Sequence, residues 1–96
     1  MNTEKLIEDL RQLFFYQEPF DHMQIEVSFF EETGNIRIVA TTQYSQIKLR
    51  YSMLETLQKI SKFTDRPEVD VNEYAVTGCE TCDFGSEYGY TFLARN

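Results

Sequence analysis

Cys79 and Cys82 are the residues of this 96-residue chain whose type and spacing most readily suggest chemistry. A Cys-x-x-Cys pair in a turn can bring two thiolates to one tetrahedral zinc ion. Structural zinc takes four ligands, however, and the segment Gly78-Cys79-Glu80-Thr81-Cys82-Asp83-Phe84-Gly85-Ser86 supplies half a set. His22, Asp83 or the cysteine pair of a second chain would have to complete it, the last by joining two copies in a homodimer. The same pair can act as a redox couple, but such reactivity leans on a helix N-terminus. Here the residues that follow read as a strand, and Glu80 and Asp83 disfavour a thiolate. The third reading is that two small, weakly polar residues pack the end of a hairpin. That reading is the expectation: no cofactor, with zinc as the alternative.

Nothing else assembles into a catalytic set. His22 is the single histidine, and no local signature marks a nucleophile or an orienting acid for it. Asp83-Phe84-Gly85 matches a kinase tripeptide, yet the chain is far too short for a kinase and has no glycine loop for phosphate. The protein is therefore expected not to be an enzyme.

Charge is distributed more informatively. From Glu68 to Ala94 the chain has six acids (Glu68, Asp70, Glu73, Glu80, Asp83 and Glu87) and neither Lys nor Arg. Tyr74, Phe84, Tyr88, Tyr90 and Phe92 are interleaved with them. Aromatic rings give contact area at low entropic cost, and charge steers encounter with a complementary surface. Tyr74, Glu80, Asp83, Phe84, Glu87 and Tyr88 are thus the candidate partner-binding residues, in a C-terminal hairpin acting as a docking arm. The plainer alternative has alternate aromatics facing the core and the acids simply solvated. Arg37, Lys48 and Arg50 are expected on one sheet face, where they can pair with Glu26 or form a small anion-binding patch. Lys59, Lys62 and Arg66 fall late in a helix, where the negative end of its dipole explains them.

Periodicity supplies the elements that must hold these residues. Leu6, Ile7, Leu10, Leu13 and Phe14 recur at helical spacing, which predicts a helix over 3–16 with Asn2 or Thr3 as its cap and Pro19 beyond its end. The period then falls to two. Ile25, Val27 and Phe29 alternate with polar residues, Thr33-Gly34-Asn35 supplies a turn, and Ile36, Ile38 and Ala40 alternate in return, which makes a β-hairpin. Ile47, Leu49 and Tyr51 predict a third strand. Ser52-Met53-Leu54-Glu55 matches a capping box, and Met53, Leu54, Leu57, Ile60 and Phe63 form the stripe of a second helix closed by Pro67. Two strands follow, over 69–76 and 88–94. The order α-β-β-β-α-β-β predicts a single α+β domain with an antiparallel sheet of about five strands and two helices on one face.

The early α-β-β-β-α order resembles that of the double-stranded-RNA-binding domain, but the second helix begins Met53-Leu54-Glu55-Thr56 without that family's basic cluster, so nothing is carried over from it. Sixteen acids against nine bases leave a net charge of −7. That excess argues against a direct duplex-nucleic-acid binder, which needs cations for phosphates, and against an anionic membrane surface. An apolar fraction of 42% with 15% aromatics is enough for a packed core and speaks against disorder. No run approaches the length of a membrane span, and the start Met1-Asn2-Thr3-Glu4-Lys5-Leu6 lacks the character of a signal peptide. A cytoplasmic location is the expectation. In size and acidity the chain resembles small phage-encoded anti-defence proteins and bacterial toxin-immunity proteins. That resemblance implies an inhibitor, a protein-interaction module that docks on a basic, nucleic-acid-binding surface of a partner.

Overall fold

The computed structural model describes residues 2–15, 23–42, 48–76 and 87–96. The elements run α1 (Thr3–Arg11), β1 (Phe14–Phe15), β2 (Met23–Phe30), β3 (Asn35–Thr42), β4 (Lys48–Leu49), α2 (Met53–Thr64), β5 (Glu68–Val76) and β6 (Glu87–Arg95). The fold is α+β, with two helices and an antiparallel sheet.

That sheet has four strands in the order β2-β3-β6-β5 rather than about five. The predicted third strand does not join it, because β3 already has β2 on one side and β6 on the other. Lys48 and Leu49 instead pair with Phe15 and Phe14 in a separate two-stranded ladder. The reason lies at the end of α1. The helix stops at Arg11, short of the predicted residue 16, and Leu13 and Phe14 are buried without being helical. Buried backbone outside a helix needs partners, and the 48–50 segment provides them: Arg50 donates its amide hydrogen to the Leu13 carbonyl at 2.9 Å.

One sheet face carries the core. Ile25, Ile36, Ile38, Ala40, Phe92 and Ala94 alternate inward and are buried together with Leu6 and Leu10 of α1 and Ile60 of α2. Helix α1 lies over β2, and α2 over β5 and β6, so both helices share this face. The Phe14 and Phe92 rings, with centroids 6.3 Å apart, tie the small ladder to the sheet. On the opposite face no described element covers Glu26, Ser28, Arg37, Val39, Thr91 and Leu93.

Local chemistry fixes the helix ends. The Asn2 side chain accepts from the Lys5 amide and the Ser52 hydroxyl from the Glu55 amide, each at 3.2 Å. The second helix ends where Asp65 takes the left-handed conformation (φ 56°), before Pro67 is reached. Its stripe differs from expectation at one position: Leu54 is 67% exposed, while Thr56 and Thr64 are buried. Their hydroxyls donate to the carbonyls of Ser52 and Ile60 one turn back, at 2.9 and 2.7 Å, so burial leaves no hydroxyl unsatisfied.

Candidate functional site

Cys79, Glu80, Cys82, Asp83, Phe84 and His22 lie outside the described residues. Among the described residues no group of three or more His, Cys, Asp or Glu is arranged to hold a metal ion. The base of the C-terminal hairpin is described. Val76 pairs with Glu87 and Ala75 with Tyr88, while Tyr74 stands opposite Gly89, at a position of the other parity from Tyr88. Tyr88 is half-buried in line with Tyr90 and Phe92 on the helix-covered face. Two of the acids in this region already have a cation. Arg95, the residue just past the acidic stretch, reaches Glu68 and Asp70 at 2.9 Å each. All three groups are well exposed, so the pairs add little stability, but they hold both carboxylates in place.

The three bases expected on one sheet face are not brought together on one. Arg37 sits in β3 between Ser28 and Leu93 on the uncovered face of the main sheet. Lys48 pairs with Phe15 in the small ladder, and Arg50 lies beyond that ladder, joined to Leu13. The cause is the displaced third strand. Glu26 stands opposite Val39, one row diagonally from Arg37, and the described ion pairs do not include the two.

A different grouping emerges at the β2–β3 corner, at the opposite end of the sheet from the Val76–Glu87 pair. Phe29 is 50% and Phe30 41% exposed, although Phe29 falls on the inward parity of its strand. The strand outlasts the core beneath it, so its last inward residue is left at the rim. Because the two rings are consecutive in a strand, they serve opposite faces. On the helix side Phe29 joins Thr3, Ile36, Phe63, Asp65 and Arg66 around a cleft of about 550 Å³. The second cleft, about 580 Å³, is lined by Phe29, Phe30, Glu31, Glu32, Thr33, Asn35 and Leu93. Its lining contains two carboxylates and no cation; Arg37 stands just outside it on the same face, directly across from the lining residue Leu93.

The corner is held by several bonds. Gly34, with φ 75°, closes the turn by donating its amide hydrogen to the Phe30 carbonyl at 2.7 Å. The Asn35 amide donates to Thr33 Oγ1 at 3.3 Å. From outside the turn, Arg66 Nε donates to the Gly34 carbonyl at 2.9 Å, and the Asn96 amide to Asn35 Oδ1 at 3.0 Å. A turn tied to both the end of α2 and the C-terminal residue can present its rings and carboxylates without ordering them on contact. Sequence reasoning missed this site because period-two alternation assigned Phe29 to the core. The available signal was Phe29-Phe30-Glu31-Glu32 itself, two bulky apolar residues in a row where alternation calls for one.

Such an arrangement can grip a cation with an apolar stem between aromatic and carboxylate groups. The chain has to be understood from this geometry, since comparison with protein families, with characterised proteins and with solved structures finds no match.

Proposed function

We propose that this protein is a small, non-enzymatic interaction module that docks on a basic surface of a protein partner, and that it inhibits the partner by occupying a surface that otherwise meets nucleic acid. The observation that supports this best is the corner cleft, where half-exposed Phe29 and Phe30 stand beside Glu31 and Glu32 with no cation in the lining. Burying the rings provides affinity, and the carboxylates select basic partners by imitating phosphate charge. The overall charge of −7 favours the same encounters at longer range. On this reading the C-terminal residues Glu80, Asp83, Phe84 and Glu87 make a second acidic stretch of the sequence.

Photo-crosslinking tests the proposal. A photoreactive residue in place of Phe30 is expected to capture proteins with basic surfaces, at low salt and not at high salt, because exposed charge pairs are screened. The same residue in place of Leu54, which is more exposed but lies on α2, should capture none. Equal capture from both positions, or capture from neither, would count against the proposal.

A further inference from the structure

The two clefts lie at the turn end of strand β2, on either face of the sheet. Strand β2 is terminal in the sheet order, and no described strand pairs with its outer side. It is eight residues long, contains no Pro, Lys or Arg, and carries a single charge, Glu26. Gln24, Glu26, Ser28, Phe29 and Phe30 along it are all exposed. Natural sheets usually blunt such an edge with charges, prolines or short strands. The opposite edge is treated in that way: β5 carries Glu68, Asp70 and Glu73, all exposed.

We infer that the β2 edge is a strand-addition site, which takes an extended segment of the partner in which basic and apolar residues alternate. This deepens the proposed function and rests on it. An added strand forms main-chain hydrogen bonds with the outward amides and carbonyls of β2, and its side chains alternate between the faces. On the uncovered face they meet Glu26, Ser28 and Phe30 and then the cleft with Glu31 and Glu32, which suits lysine or arginine. On the helix face they meet Phe29 and the cleft lined by Ile36 and Phe63, which suits an aliphatic side chain. Charge complementarity therefore selects this occupant over a second copy of the chain, whose net charge is −7.

Hydrogen exchange read by NMR distinguishes the outcomes. The probe is a short capped peptide alternating lysine and valine; its controls are a peptide of the same composition with the lysines in one block and a peptide alternating glutamate and valine. With the alternating lysine peptide at saturation, alternate amides of β2 should exchange at least about ten-fold more slowly, while those of β5 stay unchanged. Glu26→Lys, an exposed change that should leave the melting temperature unaltered, should weaken that peptide about ten-fold. If the blocked peptide binds equally well at Glu31 and Glu32 without protecting β2, acidic docking stands and strand addition is overturned. No binding of the alternating peptide also overturns it, while leaving the crosslinking test of docking unaffected. Protection of β2 that rises with protein concentration in the absence of peptide would assign the edge to a second copy and overturn the proposed occupant.

Discussion

Single residues set the conformations on which the rest depends, and two of them permit sharp tests. Ser52 sits at the start of α2 in extended conformation (φ −60°, ψ 158°), and its hydroxyl satisfies the Glu55 amide. Ser52→Ala should cost about 0.5–2 kcal/mol in chemical denaturation, since a free amide at a helix start loses its acceptor. An unchanged midpoint would show that water replaces the cap at no cost. Gly89 is constrained in a different way. A Cβ there would lie 1.8 Å from the Ala40 carbonyl oxygen, which belongs to the neighbouring strand and not to a flexible side chain. Gly89→Ala should therefore cost roughly 1–3 kcal/mol or more, as β3 and β6 separate to make room. Wild-type stability in that variant would mean that the two strands leave room for a methyl group at residue 89.

Whole elements explain which parts of this architecture were legible in the sequence. The β2–β3 hairpin, both helix starts and the two C-terminal strands followed from period and capping, because each is determined by contacts local in sequence. The end of α1 did not. Leu13 and Phe14 continue the helical spacing of Leu6 and Leu10, yet both are buried beyond the helix, Leu13 in the turn that follows it and Phe14 in a short strand that pairs with residues 48 and 49. That pairing is a long-range choice, and so is the expulsion of the third strand by β6. Periodicity sees neither. Leu54 shows the same limit within α2, where buried threonines and Ile60 define the inner face and leave Leu54 outside it. Ile60→Ala should thus cost about 2–5 kcal/mol in thermal or chemical unfolding, while Leu54→Gln should stay within about 0.5 kcal/mol of wild type. Similar losses in both would mean that α2 is rotated about its axis relative to this account. The corner site was hidden for a related reason: alternation gives the face a residue serves but not whether the core extends far enough to cover it.

At the scale of the molecule, the question is whether binding uses net charge or a particular place. A chain with charge −7 will be drawn to basic surfaces in any orientation. The corner claims something more specific, namely that Glu31 and Glu32 act together with Phe29 and Phe30. Two double reversals separate these ideas because they change net charge equally. Glu31→Lys with Glu32→Lys alters the corner, and Glu4→Lys with Glu8→Lys alters the exposed side of α1. Reversing Glu80, Asp83 and Glu87 in the same assay measures the contribution of the C-terminal arm. The decisive measurement is the affinity of each double variant for the basic protein captured through position 30, at low and at high salt. The corner reversal should weaken binding by about ten-fold or more and flatten its dependence on salt, whereas the α1 reversal should stay within about two-fold of wild type. Equal losses from the two reversals would contradict the account, since net charge and not the corner would then carry the interaction.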